Sequence, residues 1–110
     1  MNLMPRRKIT HKFHARRCEV DGKKFPSKLE ARYYRHLKTI KLTGELLFFL
    51  RQVPFELPGG ISYRVDFVLF WASGDVEFID VKGIDTPISK MKIKQVESIY
   101  PVEIKIIKSV

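Results

Sequence analysis

Cysteine is nearly missing from this 110-residue chain. Cys18 stands alone, so no intramolecular disulfide can form, which points to a reducing cytosol. Long apolar runs are missing too. The longest, Leu46 to Leu50, is far below the ~20 residues of a membrane span, and the amino-terminal stretch has no apolar signal-peptide core. Secreted and membrane-spanning classes are thus not expected. With six glycines, six prolines and 45% hydrophobic residues, the composition is not that of a disordered or collagenous chain. One domain fits the length, and burying roughly 65% of the unfolded surface needs no structural metal or bridge to hold it.

Acidic side chains are also scarce: 12 Asp and Glu against 21 Lys and Arg leave a net charge of +9. The excess is uneven. Residues 1–24 hold eight basic and two acidic side chains, so a basic arm, taken as residues 1–17, precedes a more balanced body over 18–110. Such an arm, with Arg6, Arg7, Lys8, Lys12, Arg16 and Arg17, would release counterions from a phosphate backbone and so attract nucleic acid in a salt-dependent way. A solvated leader is the plainer reading of the same charges.

No internal repeat interrupts the body. Ser27-Lys28-Leu29-Glu30 is a capping-box pattern, and Leu29, Tyr33, Leu37 and Ile40 follow at helical spacing, predicting a helix over 27–42 that ends before Gly44. Leu46–Leu57 and Ile61–Trp71 read as strands joined by Pro58-Gly59-Gly60, and Val76–Lys82 as a third strand after the turn at Ser73-Gly74. Thr86 and Pro87 then suit the start of a second helix whose apolar side would be Ile88, Met91, Val96 and Ile99, with Pro101 ending it. A last strand spans Val102–Ile107. The expected fold is α/β, in the order helix, three strands, helix, strand, on a mixed sheet flanked by helices: a meander of three strands and a right-handed crossover that leaves strands three and four parallel.

Chemistry concentrates in the second and third strands. Asp66 lies among large apolar neighbours, where a carboxylate is costly unless paired or bound to a cation. Strand period places Asp80 and Lys82 on one face with Val81 on the other. A three-residue or bulged turn at Ser73-Gly74 would set Asp66 opposite Asp80; a two-residue turn would separate them. Two carboxylates that close need a counter-charge. A divalent cation such as Mg²⁺ suits oxygen ligands and keeps waters that can be turned against a phosphate, while a neighbouring ammonium stabilises developing negative charge.

Val65-Asp66 followed by Asp80-Val81-Lys82 resembles the PD-(D/E)XK signature of the restriction-endonuclease-like nucleases, with Val65 in place of the proline. The run from Val20 to Tyr34, together with Asp80-Val81-Lys82-Gly83 and Lys92-Ile93-Lys94-Gln95, is similar to a family of small phage-type endonucleases in that superfamily, which includes proposed Holliday-junction resolvases. This resemblance spans roughly residues 18–108. It implies a restriction-endonuclease-like core and a Mg²⁺-dependent endodeoxyribonuclease, Mn²⁺ being able to substitute, that acts on branched DNA without a small-molecule cofactor. It also implies that Glu30 assists metal or water binding, that Asp66 and Asp80 ligate the metal, that Lys82 is the catalytic lysine and that Gln95 is an accessory polar residue. Lys28, Lys90, Lys92 and Lys94 join the arm as candidate phosphate contacts, although the last three equally suit the wet face of a helix.

Two rival readings stand beside this one. The chain could be a non-catalytic basic module whose acids are structural, or a nuclease of the same fold acting on linear duplex DNA. The two-fold symmetry of paired nicking calls for a dimer, and the apolar residues of Leu46–Leu50 are the candidate interface.

Overall fold

The computed structural model describes residues 18–110. The arm residues Arg6, Arg7, Lys8, Lys12, Arg16 and Arg17 therefore lie outside the described residues. The described chain forms β1 (Cys18–Val20), β2 (Lys23–Phe25), α1 (Lys28–Leu42), β3 (Leu46–Leu57), β4 (Ile61–Trp71), β5 (Val76–Val81), α2 (Pro87–Ile99) and β6 (Ile104–Ile107). It is an α/β fold built on a mixed four-stranded sheet in the order β3-β4-β5-β6. The first three strands are antiparallel neighbours, and β6 lies parallel to β5 after the crossover through α2. Among the described residues no helix is long and apolar enough to cross a membrane.

The hairpin β1–β2 precedes the expected elements, inside the region read from composition as the edge of a basic arm. Its turn is Asp21-Gly22, both with positive φ (55° and 74°), the backbone that a two-residue primed turn requires. An Asp-Gly pair is among the strongest hairpin signals a sequence can carry, so the net charge of the segment obscured its local turn chemistry. The hairpin is tied to α1 through Asp21, which pairs with Lys38 Nζ and accepts from Tyr34 Oη at 3.1 Å. Phe25 is buried against the Tyr34 ring, 5.0 Å between centroids.

α1 opens at Ser27, whose extended backbone and hydroxyl, accepting from Glu30 N at 3.1 Å, satisfy one of the free N–H groups of the first turn. Its buried side, Ala31, Tyr33, Tyr34 and Leu37, packs with Leu46, Phe67, Leu69, Ile79 and Val81 into one core cluster. Fully buried Leu37 alone contributes about 2 kcal/mol of transfer free energy. A second cluster joins Val96 of α2 to Leu57, Tyr63, Val65 and Ile104. Val65 and Phe67, two residues apart on β4, thus belong to different clusters, the first with α2 and the second with α1. Asp66 stands between them.

The packed side of α2 differs from the expectation. Ile88, Met91 and Ile99 are exposed, Ile88 by 64%, and the face turned inward is Ile93, Val96 and Tyr100. Two apolar stripes compete on this helix, and polar anchors choose between them. Tyr100 Oη donates to Glu56 O at 2.8 Å, and Glu97 Oε2 accepts from Ile104 N at 2.8 Å, so the carboxyl-terminal half is fixed to β3 and β6 with Val96 inward. The start of the helix matches the sequence reading: Thr86 and Ser89 form a reciprocal capping box with Pro87 in the first turn.

Candidate functional site

The turn between β4 and β5 decides whether the two strand acids meet. Trp71 N donates to Asp75 O (2.9 Å) and Gly74 N donates to Trp71 O (2.9 Å), closing a connection of three residues, Ala72-Ser73-Gly74, with Gly74 at φ 97°. That left-handed residue after a tight turn is the three-residue hairpin that glycine permits. The register it sets pairs Phe67 with Ile79, and one residue further along stand Asp66 and Asp80. There the ordinary ladder stops and carboxylates replace it: Asp66 N donates to Asp80 Oδ1 at 3.2 Å, and Val81 N donates to Asp66 Oδ2 at 2.9 Å.

Lys82 shares the side of β5 that carries Asp80. Its Nζ lies 2.9 Å from Asp80 Oδ2, an ion pair between a lysine 19% exposed and an aspartate 1% exposed. Asp80 Oδ2 is buried, and the Lys82 ammonium is the charge that meets it there. The same ammonium sits 5.7 Å above the Tyr63 ring. A charge held between a carboxylate and an aromatic face has a fixed position, which a solvated lysine lacks.

Glu30 arrives from α1. Although the capping-box pattern predicts that its side chain returns to the Ser27 backbone, the carboxylate instead accepts from Gln52 Nε2 at 3.2 Å, and Glu30 is 2% exposed. The same Gln52 nitrogen donates to Asp66 Oδ1 at 3.1 Å. Gln52 thus joins an acid of the helix to an acid of the sheet. It does so from a left-handed backbone, φ 53°, in the middle of β3, with the β3–β4 register unbroken on either side at Arg51/Phe67 and Val53/Val65. For a non-glycine residue that conformation costs about 1–2 kcal/mol.

The cluster is short of positive charge. Burial, and next the charge of Asp66, push the Glu30 carboxyl up to about 7, against the opposing pull of Arg51. Burial likewise raises Asp66, resisted by its bonds from Val81 and Gln52. Arg51 stands near, but its guanidinium is committed elsewhere, 4.1 Å above the Phe25 ring and donating from Nη2 to Lys24 O at 3.2 Å.

Four of the expected site residues, Glu30, Asp66, Asp80 and Lys82, are therefore brought together, and Gln52 is the member that sequence reasoning missed. Gln95 is not with them. It is exposed on α2, on the same outward side as Ile88 and Met91, and its backbone carbonyl accepts from Ser98 Oγ. Lys28, Lys90 and Lys94 are exposed and Lys92 is half-buried. Elsewhere a cavity of about 570 Å³ opens beside β5 and β6, but Glu77, Glu97 and Glu103 line it against one lysine, Lys105, a charge balance that repels phosphate.

Among the described residues no group of three or more His, Cys, Asp or Glu side chains is spaced to hold a metal ion. Gln52 stands between Glu30 and Asp66, and Lys82 engages Asp80. The donor chemistry suits a hard divalent cation all the same. All the ligands on offer are carboxylate oxygens, from Glu30, Asp66 and Asp80, and two of these residues, Glu30 and Asp80, are almost fully buried.

A family model described as "Protein of unknown function (DUF1064)" matches residues 10–110. No curated protein and no solved structure matches the chain.

Proposed function

The chain belongs to the DUF1064 family, and we propose that this member is a metal-dependent endonuclease that hydrolyses DNA phosphodiester bonds, on a restriction-endonuclease-like core, with branched DNA as its substrate. One observation carries the reading: Asp66 and Asp80 stand side by side on adjacent strands, Asp66 N donating to Asp80 Oδ1 at 3.2 Å, with Lys82 Nζ 2.9 Å from Asp80 Oδ2. Purely structural acids would not be expected to gather at a place so poor in compensating charge.

Asp66 and Asp80 would hold Mg²⁺ or Mn²⁺ with Glu30 beside them. When bound, the cation neutralises these carboxylates and lowers the pKa of a coordinated water. Lys82 holds its ammonium at the rim of the cluster, where it can balance charge that builds on a phosphate as water adds to phosphorus and the bond to the leaving oxygen breaks. Tyr63, under that ammonium, limits where it can go. Glu30, buried beside the two aspartates, is placed to assist the binding of the metal or of its water.

A two-fold homodimer would supply the two sites that symmetric cutting needs. The outer strand β3, with Leu47, Phe48 and Leu50 exposed, supports that arrangement. Lys28, Lys90, Lys92, Lys94 and the basic arm would contact phosphates.

The test is nicking of a four-way junction with MgCl₂, with EDTA, and with Asp66→Asn. Cleavage that stops on chelation and on substitution while binding persists supports the reading; competition by matched linear duplex at equal strength would transfer it to linear DNA. A second reading, a non-catalytic nucleic-acid-binding module, is favoured by the protein partners that already engage each acid: Gln52, Val81 N and Lys82. Binding without any metal-dependent cleavage would establish it.

A further inference from the structure

Gln52 is, among the described residues, the one non-glycine position of the four-stranded sheet with a left-handed backbone. The other non-glycine case, Asp21, belongs to a two-residue turn that demands it. The β3–β4 register is the same on both sides of Gln52, at Arg51/Phe67 and Val53/Val65, so no residue is inserted there, and the ladder skips only Gln52 and Asp66 themselves. Backbone held in a sparsely populated region is sustained by what surrounds it. Here the neighbouring strand pairs hold the backbone, and the side chain is anchored through one nitrogen, Nε2, 3.2 Å from Glu30 Oε2 and 3.1 Å from Asp66 Oδ1. Both partners are carboxylates, so the NH₂ end of the amide must face them, and its two hydrogens provide the positive edge that the acids otherwise lack.

We propose that Gln52 is a gate for the divalent cation: its amide is bound to the Asp66 carboxylate that the cation would take and to Glu30 beside it, so amide and cation compete for those oxygens. The inference rests on the metal-dependent reading above. It assigns to Gln52 a positioning role through Glu30 and Asp66, distinct from catalysis. The amide keeps the acids together without a cation, and it withdraws when a full charge takes its place. Asp80 Oδ2, buried and paired with the Lys82 ammonium at 2.9 Å, completes the acid cluster beside Asp66.

Gln52→Gly tests this, because glycine keeps the left-handed backbone without strain while the side chain, amide included, is removed. Mn²⁺ binding to the full chain, read from the signal of free Mn²⁺ by electron paramagnetic resonance, is expected to tighten by at least about tenfold, the effect of losing a single charge-assisted hydrogen bond from the competing state. The rise in melting temperature caused by Mn²⁺ should grow with it. A residue that merely supports the fold would weaken binding and stability together. Unchanged or weaker Mn²⁺ binding by the folded variant overturns the gate. Should the glycine variant not fold, the wild-type chain still decides: the Gln52 side-chain amide resonances must shift and exchange faster with solvent as MgCl₂ is added, and resonances that stay put refute the proposal. Wild-type protein that binds no Mn²⁺ at all brings down the nuclease reading and the gate with it; wild-type binding without the tighter variant brings down the gate alone.

Discussion

Asp66 donates its backbone N–H to the side chain of Asp80 at 3.2 Å, while its own carboxylate accepts from the residue after Asp80, Val81, at 2.9 Å. The two acids therefore close the β4–β5 ladder with side chains where main chain would serve elsewhere. Their meeting depends on the length of one turn. It also means that both carboxylates are held by backbone donors, so their positions are part of the sheet and not of a loop.

Deleting Ser73 shortens the Ala72-Ser73-Gly74 connection to two residues and slips β5 by one position, turning Asp80 and Lys82 to the other side of the sheet. Urea denaturation should show a loss of about 2–3 kcal/mol, and Mn²⁺ binding should vanish. One glycine inserted at Gly59-Gly60, in the connection at the opposite end of β4, leaves the register at Asp66 intact and should leave Mn²⁺ binding intact too. Equal behaviour of the two variants would refute the register argument.

Lys82→Met leaves Asp80, 1% exposed, without its cation. A buried charge stripped of its partner is costly, and about 2–3 kcal/mol should be lost at pH 7, less than for a fully sealed pair because Lys82 is partly in solvent. Adding Asp80→Asn to the lysine variant should recover most of it, because the stranded charge is then gone. Strict additivity of the two substitutions in denaturation experiments would show that the pair does not interact.

The pH dependence of stability has a definite sign. The Glu30 carboxyl takes up its proton at about 7 in the folded chain against an ordinary 4.5, so between those values the folded state binds more protons than the unfolded one, and stability falls as pH rises. The full penalty is present above about 7 and absent below about 4.5. Sealed from water it would approach 3 kcal/mol; solvent screening brings it to about 1–2 kcal/mol. Asp66 and Asp80 reinforce it and Arg51 opposes it. Glu30→Gln should therefore stabilise the metal-free protein at pH 8 and hardly at pH 4.5. A stabilisation equal at both pH values would assign the effect to packing instead.

Phe67 is fully buried between α1 and the sheet, 5.3 Å from the Tyr33 ring and 6.0 Å from Phe49. Phe67→Ala should cost about 3–5 kcal/mol by loss of contacts and by the cavity left behind. Phe48, exposed and stacked on Phe70 at 4.3 Å, should cost about 1 kcal/mol or less in a monomer, and more at high protein concentration if β3 pairs with a second copy.

Removing residues 1–17 takes away six arginines and lysines. If all six meet phosphates, the slope of log affinity against log salt on duplex DNA should flatten by about 5. An unchanged slope would deny the arm any part in binding.

Legibility varied along the chain with the range of the interaction that decides each feature. Ser27, Thr86 and Pro87 marked helix starts because capping is settled within three residues. Alternation placed Asp80 and Lys82 on one side because strand period needs no partner. The Asp21-Gly22 turn was equally local and was hidden by the charge around it. For α2 the sequence offered two apolar stripes, and the inward one was selected by bonds from Tyr100 to Glu56 and from Ile104 to Glu97, residues that the chain brings together only on folding. Gln52 carried no local signal at all, for a glutamine in a strand is ordinary until two acids converge on it. By itself, then, the amino-acid order determined which segments would be helix or strand and which side chains could share a side, since those depend on neighbours along the backbone. Only the folded arrangement decided which of them touch, because that required a turn of three residues and the packing of α1 to carry Glu30 onto the open end of a ladder it shares no sequence with.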